Sequence, residues 1–325
     1  AEDEIAGITS VIGAAFAGDL AVTATSGPGV ALKSEALGLA ITTELPLVIV
    51  NVQRGGPSTG LPTKTEQSDL NQAMFGRNGE APMVVLAPAT PADCFNMAYE
   101  ACRIALKYMI PVILLSDGYI ANGSEPWKIP DIDSLPEIET RLTKKKEGFA
   151  PFRHDNPNLS RPWALPGTPG MEHRVGGLEK WEETGHVSYD PENHQKMVEL
   201  RQQKVDVIAN DIALAKAFGK GNGDLLVIGW GGTHGALRSA VETAQANGMS
   251  VSHLHLRHLN PLPRNLGEIL VKFQKVMIAE LNMGQLAAII RSKFLVDAVS
   301  LNKIQGKPFT ITEVFNKITE LVKGA

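Results

Sequence analysis

Leu45-Pro46-Leu47-Val48-Ile49-Val50-Asn51-Val52 runs directly into Gln53-Arg54-Gly55-Gly56-Pro57-Ser58-Thr59-Gly60-Leu61-Pro62-Thr63-Lys64, an almost unbroken apolar stretch followed by glycines, prolines, hydroxyls and one arginine. A short run that is apolar on both alternating faces reads as a strand buried on both sides, as in a parallel sheet. Three runs of the same kind flank it, at Leu20 to Thr25, Met83 to Pro88 and Pro111 to Ser116. Helical segments separate them: Ser34 to Thr43, and Pro91 to Met109, the latter opened by Thr90 as N-cap with Pro91 at the first helical position. This alternation predicts a doubly wound α/β domain over residues 1–126. From Trp127 to about Ser188 the periodicity is lost and Pro, Gly and charge dominate, including Lys144-Lys145-Lys146. Residues 127–220 therefore read as a long connection ending in a charged helix from Pro191 to about Phe218. Strand patterns return at Leu225 to Ile228, Ser250 to Leu256 and Val276 to Ala279, with helices at Gly235 to Asn247, Leu266 to Phe273 and Gly284 to Phe294. Residues 221–325 thus form a smaller Rossmann-like domain.

Ligands of open α/β sheets bind beyond the carboxyl ends of strands, and the Gln53 loop stands there. Arg54 suits two-pronged capture of a carboxylate, and Ser58, Thr59 and Thr63 offer hydroxyls to a carbonyl or carboxylate oxygen. A solvated surface loop is the competing reading. A second candidate, Thr25-Ser26-Gly27-Pro28-Gly29, follows a strand and opens a helix, so that backbone amides can approach an anion. It is neither GxGxxG nor a P-loop, and read alone a plain strand-to-helix turn accounts for it better. Glu4 heads a helix, where a carboxylate ordinarily complements the dipole. Its small apolar neighbours Ile5, Ala6 and Gly7 would instead suit a carboxyl meant to share a proton. Glu280-Leu281-Asn282-Met283-Gly284-Gln285-Leu286 lies at a strand-to-helix turn, where the side chains either cap the helix or face the other domain. His253 and His255 share one face of a strand, more in keeping with a half-exposed edge than with a metal site, and no metal is expected on this chain.

Composition narrows the class. The 325 residues are 43% hydrophobic, enough for two cores. With 31 Lys plus Arg against 35 Asp plus Glu, the net charge of −4 gives no field for nucleic acid. Cys94 and Cys102, eight apart in a helical pattern, match neither a zinc nor an iron–sulfur ligand set. No apolar run is long enough for a membrane span and no leader opens the chain, so a cytoplasmic protein is expected. Ala1 begins inside a helical pattern, which predicts sequence upstream.

Asp3-Glu4-Ile5-Ala6, Thr25 to Gly29, Gln53 to Thr63 and Glu66-Gln67-Ser68-Asp69-Leu70 together resemble the alpha subunit of 2-oxoacid:ferredoxin (or other acceptor) oxidoreductases, most like the 2-oxoglutarate type. The resemblance continues through Asp117-Gly118, Pro261-Leu262-Pro263, Glu280 to Leu286 and Gly306-Lys307-Pro308-Phe309. It implies a pyrimidine-type thiamin diphosphate domain plus a transketolase C-terminal-type domain. Family members carry a Tyr-Pro-Ile-Thr-Pro-Ser stretch upstream of the glutamate, and this sequence starts after it, so the first domain is expected to be truncated at its N-terminus. By the same resemblance, Glu4 holds the aminopyrimidine of thiamin diphosphate, with Ser26, Gly27, Pro28 and Gly29 beside the cofactor. Arg54 and Thr63, with Ser58 and Thr59, hold the 2-oxo acid. A beta subunit supplies the diphosphate site, Mg²⁺ and a [4Fe-4S] cluster, coenzyme A takes the acyl group and ferredoxin the electrons, and a gamma subunit or domain is a further partner. The alternatives are a non-catalytic structural or regulatory relative and an unrelated Rossmann-like binding protein.

Overall fold

The computed structural model describes residues 1–324. The first unit contains α1 (Glu4–Ala17), β1 (Ala21–Thr25), α2 (Gly27–Leu32), α3 (Ser34–Thr43), β2 (Leu47–Gln53), α4 (Leu70–Phe75), β3 (Val84–Leu86), α5 (Asp93–Tyr108), β4 (Pro111–Asp117) and α6 (Gly118–Ala121). A long segment then leads to α7 (Pro191–Ile208). The second unit follows with β5 (Gly223–Trp230), α8 (His234–Ala246), β6 (Val251–Leu256), β7 (His258–Asn260), α9 (Leu266–Leu270), β8 (Phe273–Glu280), α10 (Gln285–Phe294), β9 (Ala298–Asn302) and α11 (Ile311–Lys323).

Strand β4 is buried along its whole length between parallel neighbours β2 and β3, which is why it is apolar without alternation. Helix α5 covers one face with Met97, Ala101, Ile104, Ala105 and Tyr108, a stripe at helical spacing. Asp93 in its first turn and Lys107 in its last oppose the helix dipole at both ends. The other face meets Leu37, Ala40 and Ile41 of α3 over Ile49 and Ile113. The first sheet has the order β1-β2-β4-β3-β7 and the second, wholly parallel, β6-β5-β8-β9. Strand β7 lies within the second unit in sequence but pairs antiparallel with β3, so it joins the first sheet. Among the described residues no helix is long and apolar enough to cross a membrane.

The structure also departs from the sequence reading in the extent and number of its elements. Helix α7 stops at Ile208, ten residues short of Phe218, because Asp211 is drawn to α5, where its carboxylate lies 2.7 Å from Arg103 and 3.0 Å from Lys107. Helix α9 ends at Leu270, since Phe273 already opens β8. Strand β9 and helix α11 complete the second unit without having been anticipated.

The connection is irregular yet tied to the first unit by buried charge. Glu44, the left-handed C-cap of α3, sits inside the fold with its carboxylate on His154 Nε2 at 2.9 Å and against Lys204 of α7. Arg161 donates to the Thr43 and Glu44 carbonyls, and Lys180 to that of Thr42, so two cations close the negative end of α3. Burial would push the Glu44 carboxyl up, but His154 and Lys204 outweigh it and hold it well below the usual carboxylate range. Glu44→Gln leaves Lys204 charged and uncompensated, and is expected to lower unfolding stability by about 3 kcal/mol or more in urea titration. A change of less than about 0.5 kcal/mol, the level of an ordinary surface substitution, would show that this cluster does not hold the connection.

Candidate functional site

Strand β2 delivers the arginine loop. Gln53, its last residue, is buried and donates from Nε2 to the Ser116 carbonyl at 3.1 Å, while its Oε1 accepts from Asp69 N at 3.1 Å. The loop then closes on itself: Gly55 N donates to Lys64 O at 2.9 Å, and Leu61 N to Gly55 O at 2.9 Å. Gly60 is required here, since its φ is +47° and a Cβ would stand 1.9 Å from the Gly55 carbonyl oxygen. Ser58 and Thr63 also adopt left-handed conformations, at φ 53° and 60°. For a β-branched threonine this is a true outlier, of the kind concentrated at ligand sites.

Arg54 is half-buried, and its Nε has no hydrogen-bond partner. It lines a cavity of about 380 Å³ with Ser58, Glu66 and Asp69 and, across the gap, Gly27 and Pro28 of α2. The two carboxyls would repel an anionic ligand if both were charged. Burial pushes each upward, against hydrogen bonds from Gly56 to Glu66 and from Asn51 and Ser68 to Asp69 that favour the charged forms, and Arg54 is the cation that faces them.

Glu4 occupies the first turn of α1, whose N-cap Asp3 accepts from Ala6 N at 2.8 Å. Its side chain lies against the head of α2: a Cβ on Gly29 would fall 2.7 Å from Glu4 Cγ and 1.9 Å from Thr25 Oγ1. Glycine at 29 therefore leaves the room that the carboxylate uses. Buried Lys33 donates from Nζ to the Glu4 carbonyl at 2.9 Å and fixes the turn. Burial lowers the Lys33 pKa, against the upward pull of Glu4 and Asp3. Glu4, Gly7, Thr23 and Lys33 wall a second cavity of about 410 Å³.

The structure thus brings Glu4 to Gly29, and Arg54 and Ser58 to Gly27 and Pro28. Ser26 is the N-cap of α2 without a side-chain bond. Thr59 and Thr63 stand on the exposed limb of the loop and line neither cavity. Asp69 and Lys33 are the contributors that the sequence reading passed over as site residues. Asp69 is buried, accepts from Asn51 and Ser68, and faces Gly27, where a Cβ would lie 2.8 Å from its oxygens. Its neighbours in the chain do not reveal this placement, because Asn51 and Gly27 come from strand β2 and helix α2.

Glu280 is fully buried and caps α10, accepting from Leu286 N at 2.8 Å and Ala287 N at 3.0 Å, while Asn282 reaches the first unit. Asn282 does both, since its Oδ1 accepts from Gly284 N and Gln285 N while its Nδ2 reaches Gln67, and Gln285 reaches Ser68 O and Asn71 N as well. His253 lies on an edge strand, as expected, yet is buried rather than half-exposed, because α8 brings His234 to within 5.7 Å ring to ring. Among the described residues no group of His, Cys, Asp and Glu is arranged to hold a metal ion.

The chain thus folds as two α/β units, with a carboxylate at a helix head facing a glycine-rich strand-to-helix turn in the first. Residues 1–191 match the family described as "Pyruvate flavodoxin/ferredoxin oxidoreductase, thiamine diP-bdg", and residues 223–314 match "Pyruvate:ferredoxin oxidoreductase core domain II". The chain belongs to this oxidoreductase family. It is similar to "2-oxoglutarate oxidoreductase subunit KorA" of Mycobacterium tuberculosis, 54% identical over 100% of this chain and 50% of that protein. It is 32% identical to "2-oxoglutarate synthase subunit KorA" of Methanothermobacter marburgensis, over 98% of this chain and 84% of the relative. The solved structure of 2-oxoglutarate:ferredoxin oxidoreductase from Magnetococcus marinus, with 2-oxoglutarate, coenzyme A and succinyl-CoA bound, superimposes with a TM-score of 0.94 at 38% identity, covering 99% of this chain and 56% of that one. The chain thus spans about half the length of the mycobacterial relative.

Proposed function

We propose that this chain is the alpha component of a 2-oxoacid:ferredoxin oxidoreductase that oxidatively decarboxylates 2-oxoglutarate to an acyl-CoA, with carbon dioxide as co-product. One observation carries the reading: the Arg54 guanidinium has an unpartnered Nε and faces a cavity shared with the α2 turn. A 2-oxo acid offers the carboxylate that such a group grips. Its preference for 2-oxoglutarate rests on the relatives' names.

The residues fit a thiamin pyrimidine at the other end of the same turn. Gly29 leaves a cradle that a Cβ would fill, and the Glu4 carboxylate stands beside it. Glu4 with Ser26, Gly27, Pro28 and Gly29 would hold that ring, and bound thiamin diphosphate would supply the carbon nucleophile for the 2-oxo carbon. Glu4 then holds a proton at a ring nitrogen through its carboxylate oxygen, in a pocket that Lys33 keeps in register. Arg54 would orient the acid with Ser58 beside it in the same cavity, and Thr59 and Thr63, on the exposed limb of the loop, complete the proposed set of hydroxyls for its carbonyl end. A beta subunit carrying Mg²⁺ and a [4Fe-4S] cluster, ferredoxin as acceptor, and a gamma subunit or domain belong to the same proposal, as does a cytoplasmic setting.

Co-purification of the chain with a cysteine-containing partner, followed by a screen of 2-oxo acids with coenzyme A and a low-potential one-electron acceptor, tests this function. Acceptor reduction fastest with 2-oxoglutarate is expected. Failure of every 2-oxo acid would leave a non-catalytic relative as the reading.

A further inference from the structure

We infer that the second α/β unit sets the position of the substrate loop, and that Gln67 is the positioning residue through which it does so. Gln67 is wholly buried, and all of its hydrogen-bonding groups cross to the second unit. Its N–H donates to Leu281 O at 3.0 Å and its Nε2 to Trp230 O at 2.7 Å. Its Oε1 accepts from Leu281 N at 2.9 Å and its carbonyl from Asn282 Nδ2 at 2.8 Å. These bonds hold the ends of β5 and β8, where a strand delivers its most fixed backbone groups.

The neighbours repeat the pattern. Thr65 Oγ1 donates to Asp117 Oδ1 at 3.2 Å, and Asp117 Oδ2 accepts from Gly232 N at 2.7 Å. Ser68 O accepts from Gln285 Nε2 at 2.9 Å. Upstream, Gly306 comes so close that a Cβ on it would lie 2.9 Å from Lys64 Cβ. The limb after Thr63 is therefore moulded by the second unit, whereas Arg54 leaves directly from a strand of the first.

Thr63 shows why such a clasp is needed. A left-handed β-branched residue relaxes unless its surroundings over-determine it, and Thr63 stands inside the loop closed by Gly55 and Lys64, immediately before the anchored run Thr65 to Ser68. Apolar packing would bring the two units together without fixing a register. Hydrogen bonds to both backbone groups and both amide ends of one residue fix distance and direction together. The second unit, which supplies none of the residues assigned to substrate or cofactor, thereby determines where Thr63 stands relative to Arg54. This inference rests on the proposed 2-oxo acid site.

The test uses Gln67→Met in the complete enzyme, a change that keeps the side chain's bulk and removes its two side-chain bonds. Ile290→Val, buried in the second unit away from the loop, serves as the control for mild destabilisation. Gln67→Met is expected to raise the KM for the 2-oxo acid about 10-fold with kcat within about 3-fold of wild type, while Ile290→Val leaves the KM unchanged. An unchanged KM in Gln67→Met, or an equal rise in both variants, would overturn the inference. Amide hydrogen exchange gives a reading independent of turnover. Gly55 and Leu61, bonded across the loop, should exchange faster in Gln67→Met than in Ile290→Val, and equal rates would also overturn it. Should the wild-type enzyme turn over no 2-oxo acid, the functional proposal falls and the exchange comparison alone decides the clasp.

Discussion

Arg54→Ala in the assembled enzyme is expected to raise the KM for the 2-oxo acid about 100-fold, since a charge-assisted two-pronged bond contributes on the order of 1.5–3 kcal/mol. The guanidinium emerges from the end of β2 into a cavity whose two carboxyls are pushed by burial toward their neutral forms. Removing Arg54 thus removes the positive charge that lines the cavity, and no other lining cation takes its place. Affinity for thiamin diphosphate should be unchanged, because Glu4 opens onto a different cavity and Arg54→Ala leaves the backbone of Gly27 and Pro28, which border the arginine's cavity, in place. Arg54→Lys should recover only part of the loss, as an ammonium keeps the charge but not the planar fork. A normal KM in Arg54→Ala would reject the carboxylate grip.

Glu4→Ala is expected to reduce kcat by about 10²–10⁴-fold, the usual contribution of a positioned proton-transfer group. The KM for the 2-oxo acid should change little. Glu4 lies against Gly29 rather than against the arginine loop, so its removal leaves the substrate cavity as it is. Gly29→Ala is the complementary case, because the added methyl group would occupy the space of Thr25 Oγ1 and Glu4 Cγ. It should impair the same step without removing the carboxylate.

The buried strands are legible in the sequence because a parallel sheet covered on both faces needs apolar residues without alternation, as β2 and β4 show. The loop after β2 is legible for a different reason: arginine, hydroxyls and glycines gather at a strand's carboxyl end. Glu4 is another matter. Its local sequence is that of any helix start, and what distinguishes it is Gly29, some 25 residues away, which the resemblance indicates and geometry explains. Asp69 and Gln67 lie in a quoted motif, but their tasks depend on β2, β5 and β8 and cannot be read from neighbours in the chain. Helix α11 is the opposite case. Thr310 and Glu313 form a complete capping box, a local signal that suffices to place its start. Strand β7 crosses to the first sheet through one antiparallel pairing with β3, a tertiary choice that three residues do not encode by themselves.

The proposed site divides its labour, with Glu4 toward the cofactor and Arg54 toward the substrate. Exchange of the thiamin C2 proton with solvent deuterium, followed by NMR in the assembled enzyme without 2-oxo acid, separates the two roles. Slowed exchange in Glu4→Ala with wild-type exchange in Arg54→Ala is the predicted result. Exchange unaffected by loss of Glu4, or slowed equally in both variants, would contradict it.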